Sequence, residues 1–161
     1  MLLRRIGSAL RAIRFALALG PTGQVARLFL RAVPEMLIGR VGIYAIARIP
    51  GRRTKVVVRS HHPAADAVGT FVGARGQRVQ WVVERLGGER IDLIPWNEDP
   101  RRLIRFTLAP ARLGDVTLQP ADRKALVALA EDQMRIAMGD GGDNRELASR
   151  VSGWRIELIV R

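Results

Sequence analysis

The sequence predicts an α+β fold built from two copies of one small unit. A Gly-x-x-Gly segment at Gly73–Gly76 returns 66 residues later at Gly139–Gly142, each time after an apolar stretch and before a helix-like one. The segment 88–94 returns 65 residues later at 153–159. Because the two offsets differ by a single residue, we interpret the chain as an internal duplication, and a repeat of this length predicts two domains.

Hydrophobic periodicity and turn residues assign the order α-β-β-α-α-β to each copy. Pro50-Gly51 predicts the turn of a hairpin, and Asp66 is a helix-capping residue ahead of the first glycine segment. In the first copy the predicted elements are a helix over 24–33, strands over 40–49 and 52–59, helices over 66–72 and 77–86, and a strand over 91–96. In the second copy they are a helix over 99–109, strands over 116–118 and 124–130, helices over 131–138 and 144–151, and a strand over 154–160.

Ahead of the copies, residues 1–19 read as a basic amphipathic helix, and the segment Gly20–Gly23 ends it. Its arginines interrupt the apolar run, so it does not predict a transmembrane span. The pattern favours packing on the protein body or on a partner protein, and leaves association with a membrane surface open. We therefore expect domain boundaries at 1–23, 24–97 and 98–161.

The positive charge is concentrated in the first copy and the segment before it. The whole chain carries a formal net charge of +12. Residues 1–97 hold 16 Lys and Arg against 5 Asp and Glu, whereas residues 98–161 hold 11 against 10. A surface with this excess attracts polyanions such as RNA, DNA or an acidic membrane.

Several chemistries are excluded or disfavoured by residue content. The chain has no cysteine, which excludes disulfides and thiolate zinc sites and is compatible with the cytoplasm, where we expect the protein. The adjacent His61 and His62 would point to opposite sides of a strand, which is a poor metal arrangement. No phosphate loop of the nucleotide-hydrolase type and no nucleophile elbow is present. We predict a protein that is not an enzyme and that uses no metal, cofactor or small-molecule substrate.

The predicted element order, with a glycine loop between the two middle helices, resembles a type II KH domain. Over residues 24–161 the amino-acid sequence also resembles the tandem KH region of the NusA family of bacterial transcription factors. The matching strings include Pro50-Gly51-Arg52-Arg53-Thr54-Lys55, Gly73-Ala74-Arg75-Gly76-Gln77-Arg78-Val79, Leu86-Gly87-Gly88-Glu89-Arg90-Ile91-Asp92 and Ser152-Gly153-Trp154. The resemblance implies two KH domains, each a three-stranded sheet with its helices on one face. It also implies binding of single-stranded RNA during transcription elongation, termination or antitermination on nascent RNA.

The resemblance also implies the RNA-binding residues. In the first copy the loop would clamp the RNA backbone, and a basic hairpin would extend the same surface. In the second copy the corresponding loop carries Asp140, whose charge opposes phosphate, so we expect this copy to bind RNA weakly or to serve as support. The predicted contacts are Gly73, Ala74, Arg75, Gly76, Arg78, Arg52, Arg53 and Lys55 in the first copy, and Gly139, Gly141, Gly142, Asn144 and Arg145 in the second.

Two other functions remain open at this point. Members of the family normally carry a polymerase-binding domain and an OB-fold domain before the KH pair, and residues 1–23 are too few to encode either. Contact with RNA polymerase is therefore not carried over by the resemblance. The chain could instead be an adaptor whose N-terminal helix docks on polymerase, the ribosome or a membrane, or a factor for ribosome or RNA maturation.

Overall fold

The computed structural model describes residues 16–161, which fall into two compact units, one ending at Trp96 and one beginning at Asn97. The predicted helix over 1–19 lies outside the described residues except for its last few. The first unit consists of α1 (Pro21–Ala32), β1 (Val41–Ile49), β2 (Arg53–Ser60), α2 (Ala67–Val72), α3 (Gln77–Arg85) and β3 (Arg90–Pro95). The second consists of α4 (Pro100–Thr107), β4 (Val116–Gln119), β5 (Lys124–Leu129), α5 (Glu131–Met138), α6 (Asp143–Ser152) and β6 (Arg155–Val160).

Each unit contains one three-stranded sheet with the same topology. In the first sheet β2 is central, antiparallel to β1 and parallel to β3. In the second sheet β5 is central, antiparallel to β4 and parallel to β6. The parallel pair in each unit is joined by two helices with a glycine loop between them. The predicted α+β class and the α-β-β-α-α-β order are therefore confirmed.

The core of the first unit lies between its sheet and its helices. Val56 and Val58 are fully buried, and their alternation places both on the face of β2 that meets the helices. The rings of Phe29 from α1 and Phe71 from α2 meet there with their centroids 5.2 Å apart. Val82 joins them from α3. All three helices of this unit thus contribute to one core.

A buried carboxylate, that of Glu89, ties the ends of several elements of the first unit together. Its side chain has no exposed surface. Arg48 of β1 donates to both of its oxygens, at 2.8 Å and 2.9 Å, and the backbone N–H of Gly51 donates at 2.9 Å. The hydroxyl of Thr54 on β2 donates a further hydrogen bond. The same Arg48 guanidinium also donates to the carbonyl oxygen of Pro21 at 2.7 Å, so that the network reaches the start of α1.

The second unit has the indole of Trp154 at the position that matches Glu89. Trp154 is 6% exposed and packs in the core of its own unit with Ile104, Leu108 and Ile156. The guanidinium carbon of Arg123 lies 4.6 Å from the centroid of an indole ring, in cation–π geometry. The second unit therefore fills this position by apolar packing.

The strand positions Asp92 and Glu157, equivalent in the two copies, each hold a lysine of the neighbouring strand. The Nζ atom of Lys55 lies 2.8 Å from Asp92, and that of Lys124 lies 2.6 Å from Glu157. Asp92 also accepts a hydrogen bond from Arg53 at 2.7 Å. Burial lowers the pKa of Lys55 to about 8, against the opposing attraction of the Asp92 carboxylate.

Most predicted boundaries differ from the structure by one or two residues, and the largest difference is at the first helix. The sequence predicts its start at Gln24, whereas α1 begins at Pro21. Proline is suited to the first turn of a helix because its missing N–H would have no partner there. The interruption between the helical segments therefore lies before Pro21 and does not extend over Gly20–Gly23.

We predict that Glu89→Gln destabilises the protein by about 2–4 kcal/mol, because it removes the charge that the buried Arg48 guanidinium requires and reverses one hydrogen-bonding group. Chemical denaturation measures the change. Glu157→Gln is the matched control, since its carboxylate is 44% exposed and its ion pair is worth less than about 1 kcal/mol. Equal losses in the two variants would contradict a central role for Glu89.

The lowered pKa values of Glu89 and Asp92 predict that the protein loses stability in acid. Burial acts to raise the pKa of Glu89, but hydrogen bonds from Arg48, Thr54 and Gly51 outweigh it, so that the pKa lies below the ordinary 4.5. Burial likewise opposes the charges of Lys55 and Arg53 at Asp92, whose pKa lies below 3.8. A folded-state pKa below the unfolded value stabilises the fold above the unfolded value, and this contribution is lost as the pH falls through the folded-state pKa.

We therefore expect the free energy of unfolding to fall steadily as the pH decreases below about 4.5. Denaturant titrations at a series of pH values between 7 and 3 would measure it. The Glu89→Gln variant should show a shallower fall, because one of the groups that takes up a proton on unfolding is missing. Parallel curves for the variant and the wild type would contradict this assignment.

Candidate nucleic-acid interface

The segment Gly73–Gly76 forms a sharp corner between α2 and α3. Asp66 caps the start of α2 by accepting a hydrogen bond from the N–H of Gly69 at 3.0 Å, as the sequence predicts. Ala74–Gly76 then makes a single 3₁₀ turn, closed by the N–H of Gly76 donating to the carbonyl oxygen of Gly73 at 3.1 Å. α3 begins at the next residue.

The two glycines of this corner serve different purposes. Gly73 has φ +77°, and a Cβ atom there would lie 2.6 Å from Cγ of Arg78. Gly76 has φ +73°, but a Cβ there would meet no atom within 4 Å. The first glycine thus lets the chain pack closely on itself. The second leaves space on the outside of the corner, where a bulky group can approach the backbone.

The electrostatics of this corner favour an anion. α3 has no side-chain cap and no acidic residue in its first turn, so no carboxylate offsets the positive end of its dipole. Arg75 is exposed, with the unusual left-handed backbone angles φ 55° and ψ 25°. These features place an exposed guanidinium beside a helix N-terminus, which is an arrangement that binds phosphate.

Arg78, predicted to pair with phosphate, is engaged within the fold. Its two terminal nitrogens donate to the two carboxylate oxygens of Glu35 at 2.9 Å and 3.0 Å, and one of them also donates to the carbonyl oxygen of Thr70. The hydrogen bond from Arg78 is the main cause that lowers the pKa of Glu35. Arg78 therefore connects α3 to α2 and to the turn after α1, and its primary partner is a carboxylate 43 residues away.

The predicted basic hairpin surface is only partly present. Arg52 lies exposed in the turn between β1 and β2. Arg53 and Lys55 are 9% and 1% exposed and pair with Asp92, so the prediction that they extend an exposed basic surface is wrong. Both residues lie on β2, the central strand of the sheet, where they face Asp92 of the neighbouring strand β3 and not solvent.

The second loop has the same backbone conformation as the first. Gly139 matches Gly73 with φ 71° and ψ 178°, and the N–H of Gly142 closes the turn on the carbonyl oxygen of Gly139 at 3.2 Å. Gly141 takes the left-handed angles that Arg75 takes in the first loop. Asp140 is exposed where the first loop has Ala74. The duplication has therefore kept the corner while changing its side chains.

The polar residues that follow the second loop are structural. Asn144 has no exposed surface, and its amide nitrogen donates to the carbonyl oxygen of Ala137 at 3.0 Å. Its side chain thus holds the loop from inside, so the side chain offers no exposed surface to the RNA that the sequence predicts it to contact. Arg145 is partly buried and donates to the carbonyl oxygen of Ile156 at 3.3 Å, which links α6 to β6.

Charge separates the two corners. Residues 65–80 carry two basic residues and one acidic residue, whereas the equivalent residues 131–146 carry two basic and five acidic ones. Two of the five, Asp143 and Glu146, lie in the first turn of α6, where they offset its dipole. The first corner is thus suited to phosphate, and the second is much less so.

Sequence reasoning gave Trp81 a packing role and overlooked Arg85. Trp81 is partly exposed, and the guanidinium carbon of Arg85 lies 3.6 Å from the centroid of an indole ring. The spacing of four residues on a helix was the available signal, because it places two side chains on the same face. Within residues 16–161 no cluster of three or more acidic or histidine side chains could hold a metal ion. No helix in this range has the length and apolar composition needed to cross a bilayer.

Comparison with protein-family models identifies both units. Residues 22–96 match the model of the NusA-like first KH domain, and residues 100–161 match that of the NusA-like second KH domain. The crystal structure of APE1850 superposes with a TM-score of 0.61 at 17% identity and covers 90% of this chain and all of the other, which supports the fold alone.

Curated relatives give the same assignment at higher identity. The chain is 47% identical over 126 residues to the transcription termination/antitermination protein NusA of Thermus thermophilus, covering 78% of this chain and 33% of the relative. It is 38% identical over 136 residues to NusA of Bacillus subtilis, covering 84% and 37%. The chain thus spans little more than a third of the length of these relatives. With both models matched in order and the glycine corner present in each unit, the chain belongs to the NusA family, of which it contains the first and second KH domains.

Proposed function

We propose that this protein is a non-enzymatic binder of single-stranded RNA, and that the first glycine corner is its main site. The observation that carries the proposal is the contrast between two corners of equal backbone shape. The first has an exposed Arg75 beside a helix N-terminus that lacks acidic residues, whereas the second has three carboxylates close by. KH domains clamp the backbone of about four nucleotides with this loop.

The cations of the first unit support the proposal. Arg48, Arg53, Lys55 and Arg78 are held by carboxylates of the same unit and contribute little to its outer field. Arg75 has no ion pair among the described residues and lies at the corner itself. Arg75 is therefore a cation at the corner that no carboxylate of the described residues holds, and it can act on a polyanion there.

We further propose that the RNA is nascent transcript and that the protein acts in the cytoplasm on transcription elongation, termination or antitermination. The names of the relatives, transcription termination/antitermination protein NusA, support this proposal. Crosslinking the protein to RNA in cells and sequencing the attached RNA would test it. Enrichment of unfinished transcripts is expected, whereas recovery of mature ribosomal RNA alone would favour RNA maturation.

An exchange of side chains between the two corners tests which one binds. Ala74→Asp gives the first loop the residue that the second loop already accommodates in the same backbone conformation, so folding should be retained. We expect its affinity for a fluorescein-labelled eight-nucleotide single-stranded RNA to fall about tenfold or more, because a carboxylate then faces phosphate. Asp140→Ala should leave the affinity unchanged or raise it a few-fold. Fluorescence anisotropy measures both, and a larger loss for Asp140→Ala would place the site in the second unit.

The Arg75→Gly variant tests whether RNA binding can be weakened without loss of stability. The variant removes a cation from the corner and places glycine where the backbone is left-handed, a conformation that costs a non-glycine residue about 1 kcal/mol. We expect weaker RNA binding together with equal or higher stability. The slope of log affinity against log salt should become shallower by about 0.7, the value for one phosphate contact on a single strand. An unchanged slope would mean that Arg75 contacts no phosphate.

A further inference from the structure

A groove between α1 and α3 opens directly beside the first corner. It has a volume of about 290 Å³ and is lined by Arg31, Ala32, Gln77, Arg78 and Trp81. Gln77 immediately follows Gly76, so the groove begins where the glycine corner ends. Its volume is at the lower limit of small-molecule sites, about 300–1,000 Å³, which suits a fragment such as a single base better than a larger ligand.

Trp81, which lines the groove, belongs to a preassembled stacking pair. Arg85 lies over the indole of Trp81 at 3.6 Å, and its guanidinium also donates to the carbonyl oxygen of Trp81 at 3.2 Å. Gln77, Trp81 and Arg85 are spaced four residues apart and follow one stripe of α3. Aromatic rings and guanidinium planes are the two surfaces on which proteins stack unpaired bases.

The charged residues at the groove also favour a phosphate group. Arg31 lies exposed in the last turn of α1 and has no ion pair among residues 16–161. The carboxylate of Glu35 is neutralised by its paired hydrogen bonds with Arg78, which lines the groove. A phosphate at the mouth of the groove would therefore meet the cation of Arg31.

We propose that this groove binds one nucleotide of the RNA next to those held by the glycine corner. The base stacks on the Arg85–Trp81 pair, and Arg31 contacts its phosphate. This proposal rests on the function proposed above, because the corner must first position the strand. The groove would lengthen the footprint of the first unit beyond the loop and would do so without preference for a particular base, since every base has a face that can stack.

Oligonucleotide length provides the test. A four-nucleotide single-stranded RNA fills the corner, whereas an eight-nucleotide RNA of the same composition can also reach the groove. We expect Trp81→Leu and Arg85→Ala to bind the eight-nucleotide RNA about five- to tenfold more weakly than the wild type and the four-nucleotide RNA equally well. Arg31→Ala should show the same length dependence, with a shallower salt slope. Quenching of tryptophan fluorescence by the longer RNA should be reduced in Trp81→Leu.

Matched controls isolate the groove. Arg59→Ala removes a guanidinium that lies 3.9 Å over Trp96, a similar pair elsewhere in the first unit, and Arg101→Ala removes an exposed arginine from α4. Both should leave the length dependence unchanged, and thermal unfolding verifies that every variant is folded. If folded Trp81→Leu and Arg85→Ala variants bind both RNAs like the wild type, the groove proposal is overturned. If Ala74→Asp does not weaken binding of the four-nucleotide RNA, the function proposed for the corner fails instead.

Discussion

The structure of the first unit depends on one buried negative charge. The carboxylate of Glu89 is fully removed from solvent, so it is tolerable only because donors surround it. Those donors come from β1, the hairpin turn and β2, and the most important of them, Arg48, continues to the first turn of α1. Because the Glu89 carboxylate accepts hydrogen bonds from several elements at once, it fixes where these elements meet. The loop before β3 therefore acts as the joint of the unit.

Three carboxylates of the first unit, including that of the joint, determine which cations remain for a ligand. Arg48 is used by Glu89, Arg53 and Lys55 by Asp92, and Arg78 by Glu35. Each of these pairs is internal or partly buried and stabilises a contact between elements. Arg31 and Arg75 remain outside such pairs among the described residues, and they lie at the groove and at the glycine corner respectively.

The sequence was sufficient to predict what depends on local pattern and on duplication. The order of elements, the cap at Asp66, the two glycine corners and the paired roles of Asp92 and Glu157 all follow from spacing or from comparison of the copies. The pairing of Arg48 with Glu89 and of Glu35 with Arg78 could not be predicted in this way. The partners lie 41 and 43 residues apart, and no periodic signal connects them. The burial of Arg53 and Lys55 was missed for a related reason, since the charged hairpin gave no indication that its second strand is central in the sheet.

The second unit shows that the backbone of the corner does not depend on its charge. Its loop repeats the angles of the first although Asp140 replaces Ala74, Gly141 replaces Arg75, and an indole replaces the carboxylate at the joint. Close packing holds both corners, because a Cβ at Gly73 or at Gly139 would lie within 3 Å of a side chain behind it. Side chains on the outer surface were therefore able to change without loss of the fold. In the first unit Glu35, Glu89 and Asp92 are held in ion pairs and the corner is cationic, whereas in the second Asp140, Asp143 and Glu146 lie at the corner itself. A single conformation thus carries different electrostatic environments, and this difference, more than the glycines, separates the corner that we propose binds phosphate from its counterpart in the second unit.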